Sequence, residues 1–186
     1  MPLRELLVEE LQDLYHAETQ LTKALPQMAQ AAHNPRLKEI LEKHLVQTEQ
    51  HAERLRQAFE LLGEKAMATP CKAMVGLIEE GQEKISAGKS KDDLSSDLAL
   101  ITAAQKVEHY EISGYGTAKA LARQIGEIEV SKLLMRTLGE EESADYLLTE
   151  AAKPLVQTAT YNENSKLKIH HHEPVGSASS AKAATR

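Results

Sequence analysis

The chain has 186 residues, of which 41% are hydrophobic and only 3% aromatic, and its formal net charge is −6. This length suits one domain with a substantial core, and the abundant Ala, Leu, Glu, Lys and Gln favour helices over strands. The acidic balance argues against a nucleic-acid-binding protein, and the acids among the first leucines argue against a signal peptide or a membrane span. The single cysteine excludes an intramolecular disulfide framework and fits a reducing compartment, so we expect an all-α cytoplasmic protein.

The first predicted helix covers residues 3–32, where leucines recur at steps of three and four. Two acids, Glu10 and Glu18, fall on this apolar stripe. Pro26 should kink the helix or end it early, because proline removes a backbone hydrogen bond and clashes with the preceding turn. Residues 32–35 then read as a turn.

The second predicted helix covers residues 36–62, after Asn34 as its cap and a proline at its first position, and it ends at Gly63. His44 lies at the edge of its apolar stripe, and His51 lies on the same side two turns later. A hairpin about the preceding turn brings Glu18 opposite the segment that carries both histidines.

The connection over residues 64–93 is too long for a simple turn between two helices. Thr69 as a cap and Pro70 in the first turn predict a short helix over residues 71–86. A crossover of this length lets the second and third long helices run parallel, as they do in ferritin-like bundles.

The third long helix includes residues 99–122 and carries the clearest indication of function. At about 100° per residue, Glu108 and Glu111 both fall inside its apolar stripe. Two carboxylates one turn apart on a buried face are unfavourable unless a cation or protons neutralise them. Tyr115 follows one turn later on the same stripe, either as a core side chain that only packs or as a hydrogen-bond donor or radical-forming residue beside these acids.

The fourth long helix begins near residue 127 and continues to about residue 161. Glu141 and Asp145 fall on its apolar stripe one turn apart, whereas Glu140 should point away and Glu142 is marginal. Folding this helix back on the third long helix puts Asp145 level with Glu108.

The chain after residue 161 is small, polar and without helical periodicity. We therefore expect two regions, a helical bundle over residues 1–161 and a disordered polar tail over residues 162–186. Three consecutive histidines at 170–172 could bind metal adventitiously, although a solvated tail is the simpler interpretation.

Inward-facing acids on three helices and a histidine on the second thus converge on one region of the core. Carboxylate oxygens with imidazole nitrogens suit iron or manganese, and one or two ions per chain would offset the negative charge. The usual di-iron pattern includes Glu-x-x-His on two helices, and neither the second nor the fourth long helix contains it. The alternative is that the acids are protonated or reach solvent. The residues selected by helical phase are Glu18, His44, Glu108, Glu111, Glu141 and Asp145.

Four segments closely resemble the YciE/YciF-like stress-response proteins, a ferritin-like family. They are LYHAETQL, HLVQT, AAQKVEHYEISGYGT and LGEEESADYLL, and the resemblance extends over about residues 1–160. It implies a ferritin-like four-helix bundle with one extra short helix between the second and third long helices, a homodimer and a candidate di-metal site, but no established reaction. The site residues selected above match the family pattern position by position.

One departure from the family pattern affects the predicted metal ligands. The family usually reads H-L-x-E-T-x-x-Q on the second helix, whereas here Gln47 replaces the Glu and His51 replaces the Gln. A carboxylate ligand is therefore missing, and either His51 or Glu49 substitutes for it, or the site holds one metal ion or none.

Two functions follow from these features. The first is a stress-response protein whose core iron or manganese ions handle peroxide, dioxygen or iron. The second is a non-enzymatic dimeric helical stress protein that acts by binding a partner and carries a partial or vestigial metal site.

Overall fold

The computed structural model describes the backbone of residues 2–170 and the side chains of residues 2–162. Within that part of the chain every regular element is a helix, which confirms the predicted all-α class. None of these helices has an apolar stretch of the length needed to span a membrane. The helices are α1 (Pro2–Ala31), α2 (Pro35–Leu62), α3 (Lys72–Gly88), α4 (Asp93–Gln124) and α5 (Ile128–His170).

The ends of α2 follow the capping residues that the sequence provides. The side chain of Asn34 accepts hydrogen bonds from the backbone N–H groups of Arg36 and Leu37, and Pro35 occupies the first turn. At the other end, Gly63 adopts a left-handed conformation with φ of 67° and closes the last turn. Both signals were predicted, because each satisfies backbone groups that a helix end leaves without partners.

Pro26 does not end α1, which continues five residues further to Ala31. The expectation of an early end is therefore wrong. The leucine stripe continues on both sides of the proline through Leu25 and Met28, which are 3% and 6% exposed. Burial of these side chains offsets the backbone hydrogen bond that the proline removes.

The cap of α3 is Cys71 rather than the predicted Thr69. The Cys71 sulfur accepts a hydrogen bond from the backbone N–H of Met74. Thr69 instead contacts α1, where its backbone N–H donates to the carbonyl of Gln12 and its hydroxyl donates to the Gln12 side chain. The loop is thereby attached to α1 before α3 begins.

The last helix extends beyond the predicted end near residue 161 and reaches His170. The sequence contains no glycine or proline between Pro154 and Pro174, so nothing in the chain forces an earlier end. The remaining residues of the predicted tail, 171–186, lie outside the described part.

Two apolar clusters show how the four long helices are arranged. One contains Leu7 near the start of α1, Phe59 near the end of α2 and Ala122 near the end of α4. The other contains Leu37 near the start of α2 and Leu100 near the start of α4, together with the end of α1. Because α2 and α4 begin at the same end of the bundle, they run parallel, and α3 packs against α1 and α4 as part of the crossover. This is the predicted ferritin-like four-helix bundle with one extra short helix.

Helices α1 and α4 approach closely at Gly114. A Cβ atom at this position would lie 2.9 Å from Cδ2 of Leu14. At one end of the bundle, the Asp97 carboxylate of α4 accepts hydrogen bonds from the backbone N–H groups of His33 and Asn34 in the α1–α2 turn. These contacts fix the register of α4 relative to α1 and the α1–α2 turn. This register brings together the polar side chains that lie between the two apolar clusters.

Candidate metal centre

A cluster of ionisable side chains fills the middle of the bundle, between the two apolar clusters. Each of the four long helices contributes at least one member. All members are buried, with exposed fractions of 3% or less. The six residues of this cluster are Glu18 from α1, His44 and His51 from α2, Glu108 and Glu111 from α4, and Glu141 from α5.

The cluster consists of two groups that share Glu141. His44, Glu108, Glu111 and Glu141 form the first group, and Glu18, His51 and Glu141 form the second. In each group one potential ligand atom from every residue lies within 4.8 Å of the others. Seven possible ligand contributions from six residues are thus arranged around two neighbouring points.

The two carboxylate oxygens of Glu141 face different histidines. Its Oε1 lies 2.8 Å from Nδ1 of His51, and its Oε2 lies 3.6 Å from Nε2 of His44. Each histidine also lies close to a second carboxylate: His44 Nε2 is 3.3 Å from Oε1 of Glu108, and His51 Nδ1 is 3.3 Å from Oε1 of Glu18. This is the arrangement in which one carboxylate can bridge two cations.

The cluster also contains most of the buried polar atoms that lack a hydrogen-bond partner. Among the described residues, nine of the ten such side-chain atoms belong to cluster members, and the tenth is the hydroxyl of Thr48. Both oxygens of Glu111 are among the nine, and so are Nδ1 of His51 and Oε1 of Glu141, which a proton on His51 would join. Buried polar atoms without partners are uncommon because each forfeits its interaction with water. Their concentration at one place marks the cluster as a group of side chains that could hold a metal ion.

Burial and mutual repulsion make the carboxylates of α4 hard to ionise. Burial raises the pKa of Glu108 and of Glu111 well above the usual value, and the negative charges of Glu141 and Glu18 raise both further. Burial also raises the pKa of Glu18, to about 7. A cation among these groups would reverse the effect, because it stabilises the ionised forms.

The two histidines have opposite electrostatic environments. Burial lowers the pKa of His44, so that its imidazole is neutral and able to bind a metal. For His51, burial acts in the same direction but is outweighed by Glu141 and Glu18, which raise the pKa to about 10. Burial likewise opposes ionisation of Glu141, yet the two histidines lower its pKa overall. In the metal-free cluster a proton on His51 is therefore held by the Glu141 carboxylate.

The chemistry of the six side chains fits a pair of iron or manganese ions. Four carboxylates carry at most four negative charges, which two divalent cations would balance. Carboxylate oxygen with a minority of imidazole nitrogen is the ligand set that such metals accept in helical bundles. Both histidines come from α2, and His51 belongs to the second group, whereas Glu49 is exposed and Gln47, at the position of the family's Glu, belongs to neither group.

Asp145 does not join either group, although it was predicted as a ligand. Its Oδ1 accepts a hydrogen bond of 3.0 Å from Nε2 of Gln105 and lies 3.3 Å from Nε2 of the exposed His109. The residue follows Glu141 by four positions, and four residues advance about 40° beyond a full helical turn. That rotation is enough to direct its side chain towards the surface of the α4–α5 contact.

Glu140 is the residue that sequence reasoning missed. It was expected to point away from the core, but its Oε2 lies 2.9 Å from Nε2 of His51. Arg54 holds the same carboxylate through two hydrogen bonds of 2.6 and 3.0 Å, and also donates to the hydroxyl of Thr137. Because Glu140 engages Nε2 of His51, the Nδ1 atom is left facing the cluster.

Tyr115 and Gln47 complete the surroundings of the cluster. Tyr115 is fully buried, and its hydroxyl donates a hydrogen bond to Oε1 of Glu18. The interpretation of this tyrosine as a donor to a cluster carboxylate is therefore confirmed, in addition to its packing in the core. Gln47 is half-buried and lies beside His44 at the edge of the bundle, while Glu142, which was marginal by helical phase, is exposed.

The fold and the cluster together define the class of protein: a ferritin-like helical bundle with a buried carboxylate–imidazole group that could hold metal. Residues 2–161 match the family model described as a domain of unknown function, DUF892. The chain belongs to this family.

Similar proteins agree with this assignment. The chain is 42% identical to the protein YciF of Escherichia coli K12 over 151 residues, which are 81% of this chain and 90% of YciF. The crystal structure of the Escherichia coli stress protein YciF superposes with a TM-score of 0.80, covering 83% of this chain and 97% of that one. YcfI of Rhodopseudomonas palustris, to which a structural role is provisionally assigned, is 41% identical with a TM-score of 0.75 over 79% of this chain and 92% of its own. The chain is thus a homologue of a stress protein, as the sequence segments predicted.

Proposed function

We propose that the cluster binds two ions of iron or manganese and that the protein uses them to handle peroxide, dioxygen or iron under stress. The observation that carries this proposal is the convergence of six buried ligand side chains on two points that share Glu141, with both oxygens of Glu111 left without a hydrogen bond. Apolar residues would fill this part of a bundle at lower free energy, so a purely structural role leaves the cluster unexplained.

A pair of redox-active ions held by these residues would supply electrons to an oxidant. The protein's own residues would keep the site in order. Tyr115 orients Glu18 through its hydroxyl, and Glu140 orients His51. With a pKa of about 7 before metal is bound, Glu18 can also accept or release a proton near neutral pH.

The predicted homodimer and cytoplasmic location are part of this proposal. The alternative is a dimeric helical stress protein that acts by partner binding with a vestigial site. The provisional structural role of the relative YcfI speaks for that alternative. The two functions differ in whether metal is bound at stoichiometric amounts.

Metal content of the protein purified without an affinity tag tests the proposal. We expect close to two equivalents of iron or manganese per chain by mass spectrometry, and a large loss in Glu108→Gln. Glu142→Gln is the matched control, because Glu142 is exposed on the same bundle. A variant with glutamines at 170–172 removes the histidines that could bind metal adventitiously. Equal metal content in the parent and Glu108→Gln would contradict the proposal, and so would a parent without metal after growth in both metals.

A further inference from the structure

A small cavity lies between α2 and α5, and one residue of the cluster, His44, lines it. Its volume is about 60 Å³, enough for about two water molecules at the volume each occupies in the liquid. The inner end is lined by His44, Ile40 and Ala144, which are 3%, 5% and 4% exposed. Arg36 and Lys43 lie at the exposed outer end.

His44 connects this cavity with the cluster. Its Nε2 lies 3.3 Å from Glu108 and 3.6 Å from Glu141, and neither ring nitrogen has a hydrogen bond of normal geometry to the described residues, although the Gln47 side chain interacts with the ring. A side-chain nitrogen in this position needs a polar ligand, and the cavity that the ring lines provides the room for one. Gln47, which also lines the cavity, adds an amide that can donate or accept.

The charge of the cavity differs in sign from that of the cluster. Among the described residues no carboxylate lines it, and its two cationic residues, Arg36 and Lys43, share one acidic partner. That partner is Glu39, at 3.3 Å from Arg36 and 2.6 Å from Lys43. The entrance is therefore net positive, which repels a divalent cation and admits neutral molecules or anions.

We propose that this cavity is the port through which a small neutral or anionic oxygen compound, of the size of hydrogen peroxide, reaches the cluster, and that His44 and Gln47 receive it there. The inference rests on the proposed metal function and names the substrate class of that site. Metal ions enter by another route, because the entrance opposes their charge.

Stopped-flow binding of azide to the iron(III)-loaded protein tests the port, since azide is a small anion whose bound form absorbs visible light. Ala144→Leu fills the cavity, and we expect its azide association rate to fall by more than about tenfold at unchanged metal content. Ala24→Leu is the matched control, because Ala24 lines a different cavity between α1, α3 and α4. An unchanged rate in fully loaded Ala144→Leu would overturn the port.

If Ala144→Leu does not fold, reversing a charge at the entrance of the cavity tests the port instead. Lys43→Glu changes an exposed side chain at the entrance and should slow azide binding several-fold at low salt. Lys38→Glu makes the same change on α2 at an exposed position that does not line the cavity, and it should leave the rate unchanged. Equal slowing in both variants would assign the effect to net charge and would overturn the port.

A measurement on metal-free protein separates the port from the metal function. Deuterium exchange at the ring carbon between the two nitrogens of His44, followed by mass spectrometry, reports whether small molecules reach the ring. We expect exchange in the parent and much slower exchange in Ala144→Leu, with Ala24→Leu like the parent. A parent that binds no metal but shows this pattern would contradict the proposed function and support the port. Exchange that is the same in all three proteins would overturn the port.

Discussion

Glu108 illustrates how a single residue can serve binding at the expense of stability. Its pKa is raised by burial and by the charge of Glu141, so at neutral pH the metal-free bundle must either keep this carboxyl protonated or bury its charge, and both destabilise it relative to the unfolded chain. We expect Glu108→Gln to raise the melting temperature of the metal-free protein, by about 2–4 °C for each 1 kcal/mol gained. The same variant should lose metal.

Calorimetry of chelator-treated protein measures this effect, with Glu142→Gln as the control that should change neither property. A clear fall in the melting temperature of metal-free Glu108→Gln would show that the carboxylate is satisfied in the bundle. The cluster would then not be a strained cation site.

Glu140 has the opposite role, because it stabilises the bundle with or without metal. Its carboxylate neutralises Arg54, which is 7% exposed, and fixes the ring of His51. Glu140→Gln leaves the Arg54 charge buried with weaker partners, so we expect a loss of about 2 kcal/mol of unfolding free energy. Metal affinity should also fall, by about 10- to 100-fold, because the ring of His51 is no longer held in place by the Glu140 carboxylate.

Urea unfolding and metal titration measure these two effects separately. The double variant with Arg54→Met and Glu140→Met removes both charges, and it should recover much of the stability without recovering the affinity. If Glu140→Gln binds metal as tightly as the parent, Glu140 does not position His51.

At the scale of helices, the sequence was informative wherever the deciding interactions are local. Asn34 caps the start of α2 and Gly63 caps its end, each through contacts within four residues, and both caps were predicted. Helical phase also placed Glu108 and Glu111 on the buried face. Phase fixes the direction of a side chain but not its partner on another helix, which explains the error at Glu140. Its partner Arg54 lies 86 positions away.

Two glycines of α4 provide a test at this scale. A Cβ at Gly114 would meet Leu14 at 2.9 Å, whereas a Cβ at Gly116 would meet no atom within 4 Å. Alanine is favoured over glycine inside a helix by about 1 kcal/mol. Gly116→Ala should therefore stabilise the protein by up to about that amount, while Gly114→Ala should gain less or destabilise.

Chemical denaturation of the two variants under identical conditions makes this comparison. Equal stabilisation by both substitutions would mean that α1 and α4 do not meet closely at Gly114. The register that brings Glu18 to the cluster would then need revision.

At the scale of the whole molecule, the cluster predicts an unusual dependence of stability on pH. The pKa of Glu18 is raised to about 7 in the folded protein from 4.5, and that of His51 to about 10 from 6.5. Because both groups bind more protons in the folded state, their contributions to the free energy of unfolding fall as pH rises. The contribution of Glu18 falls between pH 4.5 and about 7, and that of His51 falls between pH 6.5 and about 10. The lowered pKa of His44 acts in the opposite direction, but only below about pH 6.5, so metal-free protein should lose stability from there towards pH 9.

Bound metal should reverse this trend, because metal displaces protons from its ligands. Melting temperatures measured from pH 5 to pH 9, with and without chelator, compare the two states. If the melting temperature of metal-free protein rises over this range, the buried acids are not the groups that dominate its titration.

The most direct test of the central claim is anomalous diffraction from crystals of the manganese-loaded protein. The cluster predicts two anomalous peaks in the bundle core, about 3.5–4 Å apart. The Glu141 carboxylate should lie between them, with His44 beside one peak and His51 beside the other. A core without peaks at saturating manganese would contradict the account, and a single peak would remove the shared role of Glu141.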